Sequence, residues 1–179
     1  MNTDRLIKNI IDQLVEAQLK LGYVKETVRL YFPLGSLNVI LGVEAISATQ
    51  MLDWLMNSEV LQTSALGSLK VSARGERFEI SVPPDGVEYV HKSVAVSPFL
   101  VDLISLFQRQ HHCTMEEICR VFAAHNADYV CEKMPQGTDF DYVVYFPSQE
   151  PDEYYYCVKA EMDHTIYHRF MKEDYLELL

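Results

Sequence analysis

Residues 127–170 run with a period of two, and no other feature restricts the fold as much. Residues 129–133, 140–146, 154–162 and 164–170 read as four strands, because apolar and polar side chains alternate along each of them. Pro135-Gln136-Gly137, the stretch 148–153 and the Met162-Asp163 turn separate them, which predicts an antiparallel meander. Eight of the eleven tyrosines lie after residue 126, and Tyr154-Tyr155-Tyr156 are consecutive. Neighbouring strand residues face opposite ways, so tyrosine must stand on both sides of that sheet. One side lines a core; the other either forms an interface or lies under a packed helix. The same segment is the acidic pole of a chain of net charge −11, with 12 Asp/Glu against 4 Lys/Arg in residues 127–179.

The front of the chain has a different period. Leu6, Ile7, Ile10, Ile11, Leu14, Val15 and Leu19 recur at helical spacing after Thr3, a candidate cap, and Gly22 ends the run. Residues 27–32 alternate as a short strand and stop at Pro33. Ser36 opens a helical turn that Gly42 breaks, and a second helix is expected over 45–56 with Ile46, Met51, Leu52 and Leu55 inward. A polar connector leads to strands 68–73 and 77–82, joined through Arg74-Gly75-Glu76. Pro83-Pro84 ends that hairpin. After one more helical turn over 86–93, Ser97-Pro98 starts a buried helix. Thr114-Met115-Glu116-Glu117 is a capping box for its partner, and residues 172–178 close the chain as a helical turn. The expected organisation is α+β, with one part over 1–84 and another over 85–179, as separate domains or fused into one.

The order helix, strand, helix, helix, strand, strand over residues 3–82 resembles a winged-helix domain. The resemblance implies that helix 45–56 would read the DNA major groove. That stretch carries Asp53 and no Lys or Arg, and only the wing has cations: Lys70, Arg74 and Arg77. Phosphate neutralisation supplies most nucleic-acid affinity, so a protein-interaction or dimerisation role fits better than DNA reading. The last third is also similar to an uncharacterised family of small bacterial proteins, through Phe140-Asp141-Tyr142, Tyr167-His168-Arg169-Phe170 and Glu173-Asp174-Tyr175. That resemblance implies no activity.

Cys113, Cys119, Cys131 and Cys157 are far apart and are expected to be free thiols in a reducing cytoplasm. The longest apolar stretch, 94–107, is too short and too polar to cross a bilayer. No glycine lies in a phosphate-binding loop or a nucleophile elbow, which disfavours dinucleotide, P-loop and hydrolase classes of those types.

Chemistry has one plausible home. On the last hairpin Cys157, Lys159 and Glu161 share a strand face, as do His164, Ile166 and His168 on the return. A loop of two or four residues would bring His168 beside Cys157 or Lys159; a loop of three would not. Nucleophile, base, carboxylate and cation would then meet, the ingredients of a small hydrolase or transferase. The bland reading is cross-strand ion pairing on a solvated face. His164 and His168 are too far apart along a strand to share a metal, and His111, His112, Cys113, Cys119 and His125 lack zinc-knuckle spacing. Asp139, Asp141, Asp152, Glu153 and Lys159 have the wrong order for the commonest metal-dependent nucleases. The sequence therefore predicts a non-catalytic association module whose partner is a protein or a second copy. It predicts no cofactor, metal or membrane, with catalysis at Lys159, Glu161 and His168 (also Cys157 and His164) as first alternative and DNA-linked regulation as second.

Overall fold

The computed structural model describes all 179 residues. They form two compact units, Met1–Ala95 and Val96–Leu179. Each combines helices with an antiparallel sheet, so the chain is α+β. No single helix is long and apolar enough to cross a membrane.

In the first unit, helix α1 (Thr3–Leu21) is capped by Asn2, not Thr3: the Asn2 Oδ1 accepts the Arg5 N–H at 3.1 Å. Its Leu6, Ile10 and Leu14 are buried, four residues apart on one stripe. Strand β1 (Val28–Pro33) leads directly into α2 (Leu34–Leu41), which begins two residues before Ser36. Pro33, at φ −65°, supplies the extended entry that a side-chain cap would otherwise provide.

Helix α3 (Ala48–Met56) starts later than expected, because Ser47 caps it by accepting the Gln50 N–H at 3.2 Å. Ala45 is instead held by Asn38, whose side chain accepts its N–H at 2.9 Å and donates to its carbonyl at 3.1 Å. Ile46 therefore sits in the turn and is 91% exposed, not inward. The expected connector contains a short helix, α4 (Glu59–Thr63).

Strands β2 (Lys70–Arg74) and β3 (Arg77–Val82) form the hairpin, with Arg74 opposite Arg77 and Gly75 at φ 60° in the turn. The sheet order is β1-β3-β2, and with α2 and α3 between β1 and β2 the unit has a winged-helix-like start. Phe78, Ile80 and Val82 are buried on one face of β3, leaving Arg77, Glu79 and Ser81 on the other.

The segment after the hairpin is a ten-residue helix, α5 (Pro84–Ser93), rather than one turn. Gln18 Nε2 donates to the Val87 carbonyl at 3.1 Å, Tyr23 stacks on His91 at 4.0 Å, and Lys25 pairs with Glu88 at 2.8 Å. These ties fasten α5 to the end of α1 and the loop behind it. The first compact unit accordingly includes α5 and runs to Ala95.

In the second unit, α6 (Pro98–Arg109) and α7 (Met115–His125) cover one face of a four-stranded meander. Its strands are β4 (Val130–Lys133), β5 (Tyr142–Tyr145), β6 (Tyr155–Ala160) and β7 (Thr165–Phe170), in the order β4-β5-β6-β7. The capping box forms as read, with Thr114 Oγ1 accepting the Glu117 N–H at 3.2 Å and Glu117 Oε2 accepting the Thr114 N–H at 2.8 Å. Thr165 fastens the α6–α7 turn to β7: its N–H donates to the His111 carbonyl, and its hydroxyl bonds the Cys113 backbone at 3.1 Å. His125 bonds Asp102 at 2.7 Å, tying α7 to α6. The other sheet face carries a smaller cluster of Met134, Val143, Cys157 and Tyr175, the last from helix α8 (Lys172–Leu176).

Candidate functional site

The strand register fixes where the candidate residues meet. Residues 161–164 form a four-residue loop between β6 and β7, closed by the Glu161 N–H donating to the His164 carbonyl at 2.8 Å. The pairing places Cys157 opposite His168 and Lys159 opposite Ile166. At the hairpin end, Glu161 takes both neighbours: Oε1 lies 3.8 Å from Lys159 Nζ and Oε2 lies 3.1 Å from His164 Nε2. All three side chains are between 38% and 46% exposed. An ion pair this wet contributes about 0–1 kcal/mol.

His168 has no ion pair with that trio. Its exposed ring lies 5.5 Å from Phe140 and 6.4 Å from Phe170, over the backbone rung it shares with Cys157. Cys157 is fully buried, and burial pushes its thiol from the usual 9.0 to about 12. A thiol so protonated near neutral pH is a poor nucleophile. The hairpin thus gathers Lys159, Glu161 and His164, and sets His168 opposite the buried Cys157, one same-face rung from Lys159.

The thiol chemistry has a direct check. Iodoacetamide at pH 7.5 should leave Cys157 unmodified in the folded chain and label it in urea. Cys131 is exposed, yet burial of its sulfur and then its bond to the Cys119 thiol push it up to about 12. It should be alkylated more slowly than a thiol in an unfolded peptide; rapid native labelling of Cys157 would refute this assignment. The sign for stability follows. The folded state keeps the Cys157 proton that the unfolded chain loses above about 9, so the stability tied to it is complete below that pH. It is lost as pH rises towards about 12.

The remaining ligand-type residues are dispersed. Cys113 is buried with its sulfur 4.0 Å from the Leu106 carbonyl, His125 is engaged by Asp102, and Cys119 neighbours Cys131 and Tyr129. No three His, Cys, Asp or Glu side chains are grouped so as to hold a metal ion. Asp141 is a structural cap: its Oδ2 accepts the Ala160 N–H at 2.8 Å.

Two surfaces stand out instead. On the α8 face of the second unit, the rings of Tyr145, Tyr155 and Tyr175 stack in series, with centroids 4.2 and 4.8 Å apart. Tyr145 and Tyr155 remain half-buried. Burial is the main cause that pushes all three hydroxyls above their ordinary value; the charge of exposed Glu132 adds to it in each, and Glu173 does so at Tyr155. Leu176, the last residue of α8 and next to Tyr175 in the chain, is exposed, as is Leu179. The tyrosine content predicts such a surface, but the stacking partner Tyr175 comes from a terminal helix that periodicity does not dock.

The second surface is the outer face of β1-β3-β2, which sequence reading divides between separate strands. The register puts Arg29 and Tyr31 of β1, Arg77 and Glu79 of β3, and Lys70 and Arg74 of β2 on one side. Arg77 lies over the Tyr31 ring at 4.6 Å, and Arg29 reaches Glu79 at 3.6 Å. Tyr31, Ser72, Arg74, Arg77 and Glu79 border an open hollow of ≈ 600 Å³. The alternation of residues 27–32 was the available signal, but which strands lie beside them is a long-range fact.

No curated protein and no solved structure matches this chain. A family model does, and it runs from residue 3 to residue 179, through both units, where the sequence resemblance concerned only the last third. With this match the chain belongs to the family described as a domain of unknown function from an E. rectale gene description, DUF3877.

Proposed function

We propose that the protein works by association, binding another protein chain without catalysing a reaction, through the acidic tyrosine face of its second unit. The observation that carries this reading is the Tyr145–Tyr155–Tyr175 stack flanked by Glu132 and Glu173. Stacked rings are already ordered, so they offer apolar area at little entropic cost, while the carboxylates favour a cationic partner. The second unit holds six Lys/Arg against fifteen Asp/Glu, which makes its field strongly negative. Four free cysteines support a reducing, cytoplasmic setting.

The alternatives have less to work with. Acid–base or thiol catalysis at His168, Lys159 and Glu161 would use a carboxylate already engaged on both sides and a protonated, buried sulfur. DNA reading would use a helix region, residues 36–69, that holds Glu44, Asp53 and Glu59 and no Lys or Arg.

A photo-reactive phenylalanine analogue at exposed Leu176, next to Tyr175 in the chain, tests the proposal in cells making the full chain. Irradiation should yield a protein–protein adduct that Tyr155→Ala or Glu132→Arg reduces at least fivefold. The same analogue at Ile46, exposed on the first unit, should give none of it. Equal adducts from both positions, or none from Leu176, would refute the reading.

A further inference from the structure

The two surfaces are complementary in charge and chemistry, and their residues are plainly unequal in sign. The first unit is almost balanced, with nine Lys/Arg against eleven Asp/Glu, yet four of its cations share one sheet face. Within the strands of that face the one carboxylate, Glu79, is bonded by Ser81 and faces Arg29. Arg74 is exposed and makes no hydrogen bond or ion pair, and Arg77 has only the Tyr31 ring. The three-stranded sheet thus displays a pair of adjacent arginines, directly opposite each other in the register, with Glu76 of the connecting turn bordering a hollow beside both.

We infer that the arginine face of the first unit, centred on Arg74, Arg77 and Tyr31, docks on the Glu132–Glu173 tyrosine face of the second unit of another copy of this chain. The inference rests on the association reading above and names its partner. Guanidinium groups are the cations best suited to that partner, because each can lie flat on a tyrosine ring while its N–H groups reach a carboxylate. Arg77 already adopts the ring-stacked half of this arrangement on Tyr31. Tyr31 itself is 48% exposed and free to enter a contact.

Two copies related by a two-fold axis would make the contact twice, first unit to second unit in each direction, which closes the assembly as a dimer. Nucleic acid is a poorer occupant. The cations sit on the sheet and helices α2 and α3 hold no Lys or Arg, whereas groove binding needs cations on the element that enters the groove.

Charge reversal on each face gives the test on the purified full chain. Sedimentation velocity in 50 mM salt should show a monomer–dimer equilibrium, weakened at least tenfold in 500 mM salt. Arg74→Glu with Arg77→Glu should leave a monomer, as should Glu132→Arg with Glu173→Arg, with circular dichroism unchanged in both. Mixed in equal amounts, the two variants should form a heterodimer, since both contacts then regain opposite charges. If a reversal unfolds the chain, Arg74→Ala with Arg77→Ala should still abolish the dimer. A wild-type monomer at all concentrations, a dimer indifferent to these changes, or a mixture that stays monomeric would overturn the inference. So would arginine-dependent binding of a single-stranded oligonucleotide without dimerisation. A Leu176 adduct with a different protein, in a chain that stays monomeric, would sink this inference while leaving the association reading intact.

Discussion

Gly86→Ala should destabilise the first unit by about 3 kcal/mol or more, the upper end of what overpacking costs. Gly86 opens helix α5 and is buried. A methyl there would fall inside the van der Waals surface of the Leu66 carbonyl oxygen and 2.9 Å from Val82 Cγ1. Neither neighbour can step aside. Val82 is fully buried at the end of β3, and the Leu66 backbone belongs to a turn closed by Gly67 donating to the Ser64 carbonyl at 2.9 Å. Pro83 and Pro84 fix the chain three and two residues before the glycine, and its own N–H donates to the Pro83 carbonyl at 3.0 Å. Trp54 is the single tryptophan and lies in α3, so its fluorescence during urea unfolding reports the unit concerned. The midpoint should fall by roughly 2 M, given m values of about 1–1.5 kcal/mol/M. Gly35→Ala is the control: it is a helical glycine with open space around it, and alanine should be neutral or stabilising by up to about 1 kcal/mol. Equal midpoints for the two variants would show that the close approach at Leu66 has no energetic weight.

That glycine also marks what the sequence could not disclose. Local signals located most elements: the Thr114–Glu117 box, the Ser97-Pro98 start and the period-two strands are interactions between near neighbours, and their outcome is written in adjacent residues. The errors occur where a distant group competes. Ala45 would continue a helix backwards from Ser47, but Asn38, seven residues earlier, claims both its backbone groups and exposes Ile46. Residues 86–93 look like one turn until Gln18, Tyr23 and Lys25 hold them as a helix. The hairpin cluster was legible in the same measure: the even loop count puts His168 opposite Cys157, as the parity argument requires, but parity says nothing of depth. Depth is what takes Cys157 out of play, since Val143, Met134 and Tyr175 bury it from other elements. Likewise the arginine face needs β1, β2 and β3 to pair, and no local pattern carries that information.

The two sheet faces of the second unit differ in a way that bears on its proposed role. Under α6 and α7 the face is sealed: Val144, Phe146, Tyr156 and Val158 are at most 2% exposed. Under α8 only five residues of helix cover it, so Tyr145, Tyr155, Phe140 and Phe170 pack against the cluster while remaining partly exposed. One face is therefore committed to stability. The other retains apolar surface that a partner could still remove from water.

Phe99→Ala tests that division, and should cost the second unit about 3–5 kcal/mol, the range for deleting a buried phenylalanine. Phe99 is 0% exposed near the start of α6, where Pro98 fixes the entry of the helix. Its ring meets Phe122 at 4.8 Å, Phe146 at 5.0 Å and Tyr156 at 5.7 Å, each at a steep interplanar angle. These three neighbours come from α7, the residue after β5 and the inner strand β6, so one side chain joins both helices to the sheet. Edge-to-face pairs add about 0.5–1.5 kcal/mol beyond area burial, and alanine forfeits all of them while leaving a cavity. Phe99→Leu keeps most of the volume and should cost less than half as much. Near-UV circular dichroism is the readout, since eight of the eleven tyrosines lie in this unit. By contrast, Tyr145→Ala on the half-covered face should shift the urea midpoint by less than half the Phe99→Ala effect. A Tyr145→Ala loss equal to that of Phe99→Ala would mean that the tyrosine stack serves the fold, and the proposed docking face would then lose its physical basis.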